Sequence, residues 1–119
     1  MERVRFIANQ GQQILFVDMT GCTPSEIEAI SDTVEAIVTG QPKDSVLILA
    51  DVTDARFDKD ALDHVKKAAA LDRPHTRRSA MVGSGKQHTA LKEALKMFAQ
   101  RDYRYFETKE EALAWLISP

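Results

Sequence analysis

The chain begins with two apolar segments joined by a turn. Residues 3–8 (RVRFIA) alternate in polarity, which is typical of a half-exposed strand. Residues 13–19 (QILFVDM) are more continuously apolar and predict a second, more buried strand. Gly11 lies in the short stretch between them. So short a turn predicts an antiparallel hairpin, with the first strand at the edge of a sheet.

After the hairpin, strand-like and helix-like patterns alternate to the end of the chain. The predicted strands cover residues 45–51, 77–83 and 103–106, and the predicted helices cover residues 21–40, 58–72, 86–100 and 108–117. Capping boxes mark two helix starts, Thr23 with Glu26 and Thr108 with Glu111, and Asp58 is a predicted N-cap. Gly40 stands where a helix C-cap belongs.

This alternation predicts an α/β fold. We expect a mostly parallel central sheet of about five strands, an antiparallel N-terminal edge strand, and about four helices on the faces of the sheet. The 119 residues fit one domain over residues 1–119. The run SVLILAD is apolar without alternation, which indicates a strand buried on both faces.

Composition narrows the class of protein. The net charge is −2 and the pI is about 5.9, with Lys and Arg spread along the chain, so we expect no nucleic-acid partner. Cys22 is the single cysteine, which excludes an internal disulfide. The longest apolar run, Val46–Ala50, is too short to span a bilayer, and the N-terminus does not resemble a signal peptide. We therefore expect a cytoplasmic protein without stable membrane insertion.

The letters GSGK, residues 83–86, suggest a phosphate-binding loop. A Walker A loop requires a glycine where Ala80 stands and a hydroxyl where Gln87 stands. The dinucleotide motif also fails, because His88 occupies the third glycine position. We interpret the stretch as a turn from a strand into a helix, where Ser84, Gly85 and Lys86 could at most attract an anion.

An acidic stretch, DVTDARFDKD, follows the most buried strand. Ligands of parallel sheets bind beyond the carboxyl ends of strands, and Asp18, Asp51 and Ser84 are all predicted there. A receiver domain would need an acidic pair, but Met19 follows Asp18. The spacing also departs from that of a calcium loop. The structural alternative is that these residues form turns and that Asp58 caps a helix.

No catalytic constellation can be assembled from the sequence, so we expect neither an enzyme nor a cofactor. His64, His75 and His88 lie on separate segments without metal-ligand spacing. Cys22 precedes a helix, a position that could lower its pKa, although a small loop residue is the simpler interpretation.

Four segments resemble the STAS superfamily, in its small stand-alone bacterial SpoIIAA-like branch. They are ILFVDMTG, SVLILADVTDARF, RRSAMVGSG and the terminal YFETKEEALAWL. With the helices between them, the resemblance covers nearly the whole chain. It implies a sheet faced by helices and a non-enzymatic regulatory or protein-interaction role, with another protein as partner. Apart from the resemblance, a homodimer through the edge strand is a further option.

The resemblance also implies a phosphorylation site. Anti-sigma-factor antagonists carry a D-S-S-G-type motif after the central strand, and a partner kinase phosphorylates its second hydroxyl residue. Thr53 stands at that position, with Val52 in place of the first serine and Asp54 in place of the glycine. We therefore predict Thr53 as a regulatory phosphosite, and binding loops at Asp51, Asp54, Phe57, Ser84, Gly85 and Lys86.

A ligand-binding role is the alternative hypothesis. The same broad fold class includes CRAL–TRIO lipid-transfer domains, and the apolar helix faces could enclose a lipid or small molecule beside Phe57, Met81 and Met97. The simpler interpretation is that these side chains pack the core.

Overall fold

A computed structural model describes residues 3–83 and 103–119 of the chain. The described residues form a five-stranded sheet with strand order β1-β2-β3-β4-β5. The strands are β1 (Val4–Asn9), β2 (Gln12–Asp18), β3 (Val46–Asp51), β4 (Thr76–Val82) and β5 (Tyr103–Phe106). β1 pairs antiparallel with β2, and every other neighbouring pair is parallel. The predicted mixed sheet with an antiparallel edge strand is confirmed.

The β1–β2 turn consists of Gln10 and Gly11. Their φ angles are 51° and 82°, so both residues lie in the left-handed region that a two-residue type I′ turn requires. This turn has the twist of the flanking strands, and it fixes the register in which Asn9 pairs with Gln12. The hairpin predicted around Gly11 is confirmed.

Three α-helices lie within the described residues, against about four predicted for the whole chain. They are α1 (Pro24–Thr39), α2 (Lys59–Asp72) and α3 (Lys109–Leu116). The helix predicted over residues 86–100 lies outside the described residues. A short 3₁₀ turn, Arg73–His75, connects α2 to β4 where the sequence predicted a break.

The helix starts form largely as predicted. Thr23 and Glu26 form a complete capping box at α1, and the Asp58 carboxylate accepts a hydrogen bond from the backbone N–H of Ala61 at 2.7 Å. At α3 the box is incomplete: the Thr108 hydroxyl donates to the Glu111 carboxylate at 2.9 Å, so Glu111 binds the capping side chain instead of its backbone.

The core lies on both faces of the sheet. α1 and α2 cover one face, where they bury Leu15, Val17 and Ile48 together with their own apolar side chains. α3 lies on the opposite face against Leu49, Ala80 and other residues of β2 to β4. β3 is therefore buried on both sides, as the unbroken apolar run of its sequence predicted.

Among the described residues, no helix combines the length and the apolar character needed to cross a membrane.

Candidate functional site

Two turns of the same sequence pattern, D-x-T, lie side by side at the carboxyl edge of the sheet. β2 ends at Asp18 and β3 ends at Asp51, and these two residues are paired in the parallel register. In the first turn, the Thr20 backbone N–H and hydroxyl donate to Asp18 Oδ1 at 3.0 and 2.6 Å. In the second, the Thr53 N–H and hydroxyl donate to Asp51 Oδ1 at 3.0 and 2.8 Å. We call this pair of turns the paired D-x-T turns.

The residue after each threonine has left-handed backbone geometry. Gly21 has a φ of 64° and Asp54 has a φ of 57°. Glycine adopts this region without steric cost, and Asp is among the few other residues that tolerate it. Gly21 and Asp54 therefore satisfy the same backbone requirement in their two turns.

Backbone hydrogen bonds lock the two turns together. The Met19 N–H donates to the Asp51 carbonyl at 2.8 Å, and the Gly21 N–H donates to the Thr53 carbonyl at 3.0 Å. The Val52 N–H donates to the Val82 carbonyl at 2.9 Å, which ties the second turn to the end of β4. These bonds hold the turns in a fixed position beyond three strand ends.

Within the part of the chain that the structure describes, two basic side chains flank the turns. Arg3 donates to the carbonyls of Asp18 and Thr20 at 3.3 and 3.1 Å. Lys109, the first residue of α3, has its Nζ 3.9 Å from Asp51 Oδ2 and 4.8 Å from the centroid of the Phe16 ring. Each aspartate of the pair thus has its own cationic neighbour.

Asp18 is held in its charged form. Its burial raises the pKa, but the hydrogen bonds from Thr20 and the charges of Arg3 and Lys109 outweigh burial, and the pKa lies below its ordinary value. The first turn therefore presents a carboxylate at neutral pH.

The predicted site residues of the second turn take different positions. Asp54 is exposed, and the Thr53 side chain is half-buried with its hydroxyl bound to Asp51. Phe57 is half-buried and packs against the core cluster under α1 and α2, where Met81 is only 1% exposed. Phe57 and Met81 thus serve as core side chains, as in the simpler interpretation above, and Met97 lies outside the described residues.

Ser84, Gly85 and Lys86 lie outside the described residues, so the anion site there stays a prediction. The last described residue before them, Gly83, accepts a hydrogen bond from the Tyr105 hydroxyl at 2.5 Å. Burial, together with the charges of Glu107 and Asp51, raises the pKa of Tyr105, so this hydroxyl keeps its proton. The contact joins the end of β4 to β5 just before the stretch in question.

Of the remaining candidate residues for chemistry, His88 lies outside the described residues, and the others have structural contacts. His64 on α2 lies 2.5 Å from the Asp32 carboxylate on α1, and His75 Nδ1 lies 2.7 Å from the Gln41 carbonyl. Cys22 is fully buried, and burial raises the pKa of its thiol instead of lowering it. Within residues 3–83 and 103–119, no group of three His, Cys, Asp or Glu side chains could hold a metal ion.

Sequence reasoning missed the duplication of the turn. Both aspartates were predicted at strand ends, but DMTG and DVTD were not recognised as the same four-residue unit. The signal was available in the sequence: an aspartate that ends an apolar strand, a threonine two residues later, and then a residue that tolerates a positive φ.

Comparison with known proteins identifies the family. A family model described as SpoIIAA-like matches residues 14–117. Among solved structures, the chain is similar to an uncharacterized protein of the DUF3478 family from Shewanella loihica PV-4, described as having a SpoIIAA-like fold. The two are 20% identical with a TM-score of 0.70, over 95% of this chain and 91% of that chain.

At that identity the structural likeness shows the fold alone. No curated protein sequence matches the chain. The family model, however, spans both D-x-T turns, most of β2, all of β3 to β5 and α3, and it agrees with the resemblance found in the sequence. Because this match extends over residues 14–117, most of the chain, the protein belongs to the SpoIIAA-like family.

Proposed function

We propose that this chain is a non-enzymatic regulatory module that binds another protein through the paired D-x-T turns. Membership of the SpoIIAA-like family supports a regulatory or interaction role at the level of the family. The observation that carries the proposal for this chain is the fixed pair of turns, bonded to one another through Met19 and Gly21. A preorganised loop surface binds a partner without the entropic cost of ordering its backbone.

The chemistry of the turns suits protein recognition. Asp18 and Asp51 use one carboxylate oxygen, Oδ1, to bind their own threonines. Asp54 is exposed beside them. The surface therefore combines carboxylates, hydroxyls and backbone groups on a rigid support, which favours hydrogen bonding with a polar or basic segment of a partner.

We further propose Thr53 as the residue that switches this surface. Its hydroxyl donates to Asp51 at 2.8 Å, so a phosphoryl group on Thr53 would abolish that bond. The added charge of about −2 would repel the Asp51 carboxylate. Lys109 is 3.9 Å from Asp51 Oδ2 and is a cation available to pair with the new phosphate. Phosphorylation would thus reorganise the second turn and its contact with α3.

Thr20 provides an internal control for this proposal. Its hydroxyl makes the same bond to Asp18 as Thr53 makes to Asp51, and both threonines are half-buried. The distinguishing feature of Thr53 is its position in the motif that the resemblance identified. Local hydroxyl geometry and position in the motif can therefore be tested separately.

Phosphosite mapping tests the switch. The wild-type chain and the variants Thr53→Ala and Thr20→Ala are incubated with an extract of the host and ATP, and each is analysed by mass spectrometry. We expect wild type and Thr20→Ala to gain one phosphoryl group, and Thr53→Ala to gain none. A wild-type chain that stays unmodified, or a phosphoryl group that persists in Thr53→Ala, would reject Thr53 as the switch.

A further inference from the structure

The outer edge of β1 is open within the described part of the chain, because β1 has β2 as its one neighbour in the strand order. Exposed edges in natural sheets are usually protected by charged side chains, proline, bulges or short length. β1 pairs over six consecutive residues with β2, without a register shift or a proline. Its one charged residue, Arg5, has its guanidinium 4.9 Å from the centroid of the Phe16 ring, on the face of the sheet.

Hydrogen-bonded and non-hydrogen-bonded pairs alternate along β1 and β2. This alternation determines which backbone groups of β1 point outward. The Asp18 N–H donates to the Arg3 carbonyl at 2.7 Å, so this pair is a hydrogen-bonded pair. In an antiparallel ladder such pairs recur at every second residue. Arg5 and Ile7 therefore bond to β2, whereas Val4, Phe6 and Ala8 direct their N–H and C=O groups away from the sheet.

Phe6 belongs to this outward-bonding set and is also exposed. The residue has 42% of its surface accessible, and it is one of the two large exposed apolar residues in the described part of the chain. It is paired with Leu15, so it lies on the face of the sheet that α1 and α2 cover. The middle of the open edge thus combines free backbone groups with an apolar side chain.

We propose that β1 pairs antiparallel with β1 of a second copy of this chain, with Phe6 on the two-fold axis. Phe6 then forms a hydrogen-bonded pair with Phe6 of the second copy, and Val4 pairs with Ala8 of the second copy in both directions. Every outward backbone group of these three residues gains a partner. Directly opposed aromatic side chains further stabilise an antiparallel pair.

Neighbouring registers are less favourable. A shift by one residue pair toward the N-terminus places Arg5 opposite Arg5 of the second copy, which is a repulsive like-charge pair. A shift toward the turn opposes Val4 to Gln10, which lies in the turn with a φ of 51° and cannot continue the ladder. The Phe6-centred register keeps Arg5 opposite Ile7 and uses the whole strand.

The dimer is independent of the proposed partner surface. An antiparallel pair of edge strands directs the carboxyl edges of the two sheets in opposite directions. The paired D-x-T turns of the two copies would therefore lie at opposite ends of the dimer, and both would remain accessible. If the chain does not dimerise, the proposed binding of a partner by the paired D-x-T turns is unaffected. If the turns bind no partner, the proposed dimer is likewise unaffected.

Amide hydrogen exchange on the wild-type chain, at low and high protein concentration, tests the register directly. Exchange at Phe6 and Ala8 should become roughly tenfold slower at the concentration where most chains are dimeric. Exchange at Arg5 and Ile7 should not change, because their N–H groups bond to β2 at either concentration. Unchanged rates at Phe6 and Ala8, or a chain that remains monomeric at high concentration, would overturn the proposal.

Light scattering on two matched variants gives an independent check. Phe6→Lys places two charges at the axis and should abolish the dimer, whereas Leu71→Lys, at the other exposed apolar side chain (47% accessible), should preserve it. Circular dichroism establishes that each variant is folded. A dimer that survives Phe6→Lys would contradict the proposal, and if that variant does not fold, the exchange measurement decides.

Discussion

At the residue scale, Asp54 is a non-glycine residue with left-handed backbone geometry. Its φ is 57°, and Gly21 occupies the same place in the first turn with a φ of 64°. Aspartate is among the few residues other than glycine that tolerate this region. The D-x-T turn therefore forms with either residue, and the second turn has an acidic residue on its exposed side.

Asp72 is a second residue with an unusual environment. It ends α2, its side chain is buried with 6% of the residue exposed, and its Oδ1 has no hydrogen-bond partner among the described residues. Burial and the nearby Glu35 carboxylate on α1 raise the pKa of Asp72 from 3.8 to about 7. A helix C-terminus also disfavours a negative charge.

This environment of Asp72 predicts that the free energy of unfolding decreases as the pH rises. The native state binds the Asp72 proton more tightly than the unfolded state does, so the stabilisation is complete below pH 3.8 and is lost as the pH rises to about 7. The loss in free energy of unfolding should be on the order of 4 kcal/mol at full ionisation. Asp72→Asn should remove this part of the pH dependence, as measured by urea denaturation across that range.

The comparison of the two pH profiles isolates Asp72. The pKa values of Asp18 and Glu26 are lowered, so these two groups change the stability only at a pH near or below their ordinary pKa values. This holds equally for wild type and for Asp72→Asn. If the free energy of unfolding of Asp72→Asn decreases with pH as steeply as that of wild type, the buried carboxyl does not carry the effect.

At the element scale, α3 depends on contacts beyond its own sequence. It spans eight residues, which is too short to be stable as an isolated helix. Arg78 on β4 donates to the Trp115 carbonyl at 2.6 Å and to the Ser118 carbonyl at 2.8 Å, and its guanidinium lies 5.3 Å from the Trp115 ring. One side chain thus donates to carbonyls at the C-terminal end of the helix and packs on its aromatic residue.

Replacing Arg78 should weaken the packing of α3 against the sheet. Arg78→Lys retains the charge but loses the planar fork, and we expect a loss of about 2 kcal/mol in the free energy of unfolding. Arg77→Lys, at the exposed neighbouring residue, is the matched control. Trp115 is the single tryptophan of the chain, so its fluorescence reports α3 during denaturation. Equal effects of the two substitutions would contradict this role of Arg78.

Local signals explain how much of the fold was predictable. The Thr23 capping box, the Gly11 turn and the apolar run of β3 each act within a few residues, and the corresponding elements form as expected. The contact of Arg78 with Ser118 joins residues 40 positions apart, and no local pattern encodes it. The same limit applies to the candidate site: Asp51 and Thr53 were predicted at a strand end, but the cation beside them, Lys109, comes from α3.

At the scale of the whole molecule, the strand order brings the elements of the candidate site together. Because β2, β3 and β4 are neighbouring parallel strands, their carboxyl ends meet at one edge, where both D-x-T turns are bonded side by side. Helices on both faces bury the sheet. The first residue of α3 reaches the same edge through Lys109. A change at Thr53 therefore has a direct structural route to α3.

Affinity purification from the host with quantitative mass spectrometry shows whether the paired D-x-T turns bind a protein partner. The wild-type chain is compared with Thr53→Glu, which adds a charge to the second turn. Thr33→Glu makes the same substitution at an exposed residue of α1 and serves as control. We predict that at least one protein recovered with wild type and Thr33→Glu is lost or depleted with Thr53→Glu. Recovery of the same proteins in the same amounts with all three chains would contradict partner binding through the paired D-x-T turns.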